Sequence, residues 1–86
     1  MPGQYHIFLE PGAERELDKV PAIEFSKIDK AILKLGFNPR PFGVKKLDEK
    51  LHRIRLGDWR VIYAIFDKES KVVVLHVVRR NERTYK

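Results

Sequence analysis

Hydrophobic residues recur at every second position in some stretches of the chain and at every third or fourth in others, and the change of period divides it. YHIFLE, residues 5 to 10, alternates as a strand, and Pro11-Gly12 is expected to break it. From Ala13 the period becomes helical, with Ala13 and Leu17 four apart and Glu14, Arg15, Glu16 and Asp18 left to water. Pro21 interrupts this run, and a second helix is expected from about Ala22 to Leu35. Phe25, Ile28, Ile32 and Leu35 form its apolar stripe, and Glu24, Lys27, Asp29, Lys30 and Lys34 fill the remainder. Gly36 is a suitable C-terminal stop, and Asn38-Pro39-Arg40-Pro41 with Gly43 make an irregular connection.

Beyond this loop the period returns to two. Lys46 to Asp48 reads as a short edge strand, followed by strands at 51 to 56, 59 to 66 and 71 to 78, with Asp67 to Ser70 as the last turn. The order is β-α-α-β-β-β. It predicts an α+β fold in which an N-terminal helical hairpin packs on one face of a mostly antiparallel, twisted sheet, as one domain spanning residues 1 to 86.

The hairpin LHRIRLGDWRVIYAIF places three cations among apolar residues. With a two-residue Gly57-Asp58 loop, Leu56 pairs with Trp59, Arg55 with Arg60, Ile54 with Val61 and Arg53 with Ile62. Alternation then puts Arg53, Arg55 and Arg60 on one face with Leu51, Ile62 and Ala64. Ile54, Leu56, Trp59, Val61 and Tyr63 take the other, which is the face expected to meet the helices. Like charges directly opposed across a strand pair are destabilising. Two readings account for the arginines: a prepared anion site, in which guanidinium groups hold phosphate in fork geometry, or side chains laid over apolar surface and paired with Asp48 or Glu49.

Three cations converging on one face favour the first, and the distribution of charge along the chain fits both a polyanion site and a well-solvated basic surface. Residues 1 to 43 hold six Lys/Arg and six Asp/Glu, whereas residues 44 to 86 hold twelve and six, so the whole net charge of +6 lies in the second half. Such clustering attracts polyanions. After the last expected strand, Arg79, Arg80, Arg83, Tyr85 and Lys86 add further cations and a phenol with two readings: an aromatic that tacks down the tail, or a group that stacks on a base or handles a proton more easily beside positive charge. The 43% hydrophobic and 35% charged content is that of a folded domain. The absence of cysteine removes disulfide, thiolate-metal and Cys-nucleophile chemistry and suits a cytoplasmic setting. MPGQYHIFLE has no basic leader before a long apolar run, and no window reaches the length of a membrane span. His6, His52 and His76 fall in three separate strands without metal-ligand spacing. No Gly-rich phosphate loop or nucleophile elbow is present. An enzyme built from these residues is expected to need no cofactor or metal and to work through cationic side chains.

KKLDEKLHRIRLGDWRVIYAIF followed by VVVLHVVRRNERTYK resembles the RelE/ParE superfamily of toxins from type II toxin–antitoxin systems, nearest to its RelE branch of messenger-RNA endonucleases. The resemblance spans nearly the whole chain and implies a RelE-like microbial RNase fold. It implies an mRNA interferase acting at the ribosomal decoding site and neutralised by a cognate antitoxin in a hetero-oligomeric complex. By the same resemblance Arg53 and Arg55 stand where relatives carry basic catalytic residues, often Lys, and Arg60 contacts the scissile phosphate. Arg80 or Arg83 supplies a further arginine, Tyr85 serves base stacking or proton transfer, and Lys45, Lys46, Arg79 and Lys86 line the RNA approach. Arginine at 53 and 55 retains charge stabilisation but gives up no proton at neutral pH. Two other functions fit the same superfamily: a ParE-like inhibitor of DNA gyrase that cleaves nothing, and an inactive relative that only binds its antitoxin.

Overall fold

The computed structural model describes residues 4 to 79. Strand β1 (His6–Leu9) leads into helix α1 (Pro11–Asp18) and helix α2 (Ala22–Lys34). Strands β2 (Lys45–Lys46), β3 (Leu51–Leu56), β4 (Trp59–Phe66) and β5 (Lys71–Arg79) follow. They form one five-stranded sheet in the order β1-β5-β4-β3-β2, antiparallel except for the parallel pair β1 and β5. The α+β reading holds, with three local corrections. Pro11 does not lie outside α1 but opens it, since its missing N–H is no loss in a first helical turn. The edge strand lies at Lys45–Lys46 and not at residues 46 to 48, because Leu47 and Asp48 turn back to give their N–H groups to the Leu51 carbonyl. Gly36 ends α2 for a different reason from a left-handed cap: its own φ is not positive, and a Cβ there would lie 3.1 Å from the Tyr5 carbonyl, where the N-terminal chain crosses.

The β3–β4 hairpin closes through Gly57 at φ +63, with Asp58 at negative φ, the arrangement that favours glycine at the first loop position. Its register is Leu56 to Trp59, Arg55 to Arg60, Ile54 to Val61 and Arg53 to Ile62, continuing to Leu51 with Ala64. The helices cover one face. Ala13, Leu17, Val20, Ile28, Ile32 and Leu35 pack there against Ile54, Val61, Tyr63, Ile65, Val72, Val74 and Val77. Burying a side chain of this size contributes about 1.5–3 kcal/mol. Phe25, at the start of the expected α2 stripe, stays 37% exposed and adds little to that core.

Two features shape β5. Between Val74, opposite Tyr63, and His76, opposite Ile62, Leu75 is an extra residue without a partner, a β-bulge that shifts the alternation of everything after it. Where β1 has ended, α1 packs along β5, and a Glu16 carboxylate oxygen accepts the Val77 N–H at 2.8 Å.

Candidate nucleic-acid interface

On the face away from the helices, the register collects cations. Arg55 stands directly opposite Arg60, Arg53 lies opposite Ile62, and Lys45 of β2 lies opposite Arg53. Ile62 and Val78, 3% and 7% exposed, form the floor beneath them, and Val78 lies opposite Arg60. Arg55 is exposed, while Arg53 and Arg60 are half-buried, as stems laid over apolar surface require. Their Nε atoms are shielded from solvent and have no hydrogen-bond partner among the described residues. A shielded N–H without an acceptor is costly, and in a guanidinium it forms one arm of a fork suited to two phosphate oxygens.

Asp48 and Glu49 do not neutralise the cluster. The Asp48 carboxylate accepts the Glu49 N–H at 2.7 Å. The ion pairs among the described residues are Arg40 with Asp67 at 2.9 Å and His76 with Glu16 at 3.7 Å. Of the two readings of the arginines, the stems do lie over apolar surface, but the pairing with acids that would make this purely structural is absent among the described residues.

Not every expected cation joins them. Lys46 lies opposite His52, which belongs to the helix side: His52 is buried and stacks on Tyr63 with ring centroids 5.9 Å apart. Arg79 lies opposite Trp59 on the helix side, with its guanidinium 5.0 Å from the centre of that ring. Plain alternation along β5 would have carried Arg79 to the face of Lys71 and Arg60; the extra residue at Leu75 sends it to the other. Arg80, Arg83, Tyr85 and Lys86 lie outside the described residues.

Four side chains that the sequence reading left out share the open face. Phe66 follows Arg60, Ile62 and Ala64 along β4, and Lys71 lies opposite it. Phe8 of β1 reaches the same face opposite Val73. Ammonium groups of Lys50 and Lys71 lie 5.3 and 5.1 Å from the centre of the Phe66 ring, and that of Lys71 is 6.0 Å from Phe8. The signal was the same alternation, carried across the Asp67 to Ser70 turn.

Polar ties hold the surrounding frame. The Tyr63 hydroxyl donates to the Pro39 carbonyl at 2.6 Å, and burial pushes its pKa up to about 12. Asp67 accepts the Tyr5 hydroxyl at 2.6 Å and two N–H groups of Arg40 at 2.9 and 3.2 Å. Those bonds, the one from Arg40 foremost, lower its carboxyl to about 2. This clamp joins the N-terminal segment, the loop after α2 and the β4–β5 turn. On the helix side, Ala31, Leu35, Phe42, Ile54 and Leu56 line an apolar hollow of about 580 Å³, with Lys34 and Arg55 also in its wall.

A family model described as the ParE toxin of the type II toxin–antitoxin system parDE matches residues 7–84. The chain belongs to the RelE/ParE family of type II toxins. Toxin RelE of Mycobacterium tuberculosis is 33% identical to it over 84 residues, covering 90% of this chain and 82% of that protein. Among solved structures, the archaeal RelE–RelB complex from Pyrococcus horikoshii is similar at 26% identity with a TM-score of 0.83, covering 93% of this chain and 99% of that one. The isolated E. coli RelE toxin matches with a TM-score of 0.80 at 19% identity, covering 93% and 88%, a likeness of fold. The RelE/ParE fold thus presents the arginine cluster on its uncovered sheet face. No helix among the described residues is long and apolar enough to cross a membrane.

Proposed function

We propose that this RelE/ParE toxin is a metal-independent endoribonuclease that cuts translated mRNA at the ribosomal decoding site. The observation that supports this is the group of Arg53, Arg55 and Arg60 on one sheet face, two of them with shielded Nε donors that have no acceptor among the described residues. RNA carries its own nucleophile. The 2′-oxygen forms a bond to the adjacent phosphorus, the bond from phosphorus to the 5′-oxygen breaks, the 2′-hydroxyl proton leaves and the 5′-oxygen gains one. The three arginines hold the phosphate and stabilise the charge that grows on it, and Lys45 extends the positive approach. Because arginine keeps its proton, proton transfer falls to another group, for which Tyr85 is the candidate, with Arg80 or Arg83 as a further phosphate contact. The products carry a 2′,3′-cyclic phosphate or 3′-phosphate.

Induced expression with primer-extension mapping tests the reading. Wild type is expected to leave fresh cuts inside translated frames, and Arg60→Ala to lower cleavage about 100-fold or more. Products with 3′-hydroxyl ends would remove the 2′-hydroxyl mechanism. The name of the matching family model favours a second reading, inhibition of DNA gyrase without RNA cleavage. Arrested gyrase complexes with intact mRNA would establish it in place of the first.

Neutralisation by a cognate antitoxin follows from the same membership, and the solved Pyrococcus horikoshii relative is itself a RelE–RelB complex. An acidic amphipathic segment suits the apolar hollow beside Lys34 and Arg55 and the net charge of +6. Affinity is expected to fall markedly as salt rises; titration calorimetry at two ionic strengths that gave equal affinities would refute charge complementarity.

A further inference from the structure

The open face does not end at the arginines. Arg60 and Phe66 stand six steps apart along β4, about 20 Å at the usual strand rise. Over that distance the face runs from Arg60 across Ile62 and Ala64 to a second basic and aromatic group: Phe66, Lys50, Lys71 and Phe8. Phe66 and Phe8 serve differently. Phe66 is half-buried and has two ammonium groups near its ring, so it fixes the position of Lys50 and Lys71. Phe8 is 51% exposed, an uncommon place for an aromatic ring on an edge strand, and beside it lies a shallow hollow of about 280 Å³ lined by Leu9, Glu10, Pro11, Lys71 and Val73.

We propose that Phe8, Lys50 and Lys71 form a second contact zone for single-stranded RNA, in which one base stacks on Phe8 and the two lysines take backbone phosphates of the strand leaving the arginine cluster. This extends the nuclease reading of the same face and rests on it. Platforms for single strands combine the two elements found here, cations that follow the backbone and rings that accept any base. The acids nearby leave that chemistry intact. Asp67 is engaged chiefly by Arg40 and Tyr5, with only a weaker attraction to Lys50 and no ion pair to it, and Glu10 lies in the hollow, where a carboxylate accepts the exocyclic amine of a base but repels phosphate. The hollow therefore suits a base, and the lysines suit the backbone.

The test is direct binding of a non-cleavable 2′-O-methyl RNA to the full chain at low salt, using one oligonucleotide of about 12 nucleotides and one of about 4, both within the span of single-strand platforms. Phe8→Ala is expected to weaken the longer oligonucleotide about tenfold and the shorter one hardly at all. Lys50→Gln and Lys71→Gln are each expected to reduce the salt dependence of the longer complex by about 0.7 in log–log slope, which a merely structural lysine would not do. Lys30→Gln, the same charge change on the exposed side of α2, is the control and leaves both unchanged. Thermal unfolding of each variant confirms that it is folded. Wild-type affinity for the longer strand in all three variants overturns the proposal, as does a loss confined to antitoxin binding, which would make the zone a protein dock. A wild type that cleaves mRNA on ribosomes but does not bind the longer strand overturns this zone and leaves the nuclease reading standing. Loss of cleavage chemistry altogether removes both.

Discussion

The two faces of the sheet are built from alternate residues of the same strands, and they solve opposite problems. On the covered face, polar groups are few and most have partners: the Tyr63 hydroxyl reaches Pro39 and the His52 ring nitrogen is 2.9 Å from the Lys50 carbonyl, while the buried Trp59 Nε1 has none among the described residues. On the open face, Arg55 and Arg60 repel each other, and two guanidinium Nε atoms are shielded without an acceptor among the described residues. The covered face is thus organised around stability. The open face gives up stability for a charge arrangement that becomes favourable when an anion arrives.

The contrast is exposed to substitution from both sides. Ile28, fully buried beneath the sheet, is expected to show the largest effect: Ile28→Ala lowers unfolding free energy by about 2–5 kcal/mol in urea titration, while the fraction that remains folded keeps its mRNA cleavage. Arg60→Ala should do the reverse, abolishing cleavage by about 100-fold with urea stability lowered far less than by Ile28→Ala. A variant of the open face that unfolds the protein as readily as one of the covered face would break the comparison. Arg55→Thr, which keeps strand propensity and removes the opposed charge, is expected to raise stability by a few tenths to 1 kcal/mol while weakening RNA binding.

The smallest effect concerns the clamp at the sheet's far end. The folded-state pKa of Asp67 lies below the ordinary carboxyl value of 3.8, at about 2. Its contribution to stability is therefore complete above about pH 4 and lost as pH falls through about 2. Asp67→Asn should be less stable than wild type at pH 7, and the difference should narrow below about pH 4 and close below about pH 2 in chemical denaturation. A gap that stays constant with pH would mean that the ionised carboxylate is not what the clamp uses.

The hairpin was legible in the sequence because a two-residue loop leaves no freedom of register: once Gly57-Asp58 is the turn, the facing of Arg53, Arg55 and Arg60 follows. The helices were legible from period alone, apart from Pro11, which both breaks a strand and opens a helix. The facing of Arg79 was not legible. VVVLHVV is apolar almost without interruption, so it has no alternation from which an extra residue could be noticed, and the bulge at Leu75 is seen only in the pairing of β5 with β4. Lys50 and Lys71 were missed for another reason: as isolated lysines they look like solvated surface, and only their approach to Phe66 across three segments gives them a role. For Arg80, Arg83, Tyr85 and Lys86, the site reading still rests on the family resemblance.

The contact between Glu16 and Val77 has a meaning for the protein in company. β1 is four residues long and β5 nine, so half of one side of β5 would otherwise offer unpaired backbone to any extended chain nearby. α1 lies along that stretch, and its carboxylate occupies the Val77 N–H while placing a negative charge where an incoming strand would have to dock. A sheet whose other face is kept open to receive a polyanion is in this way closed at its side to copies of itself.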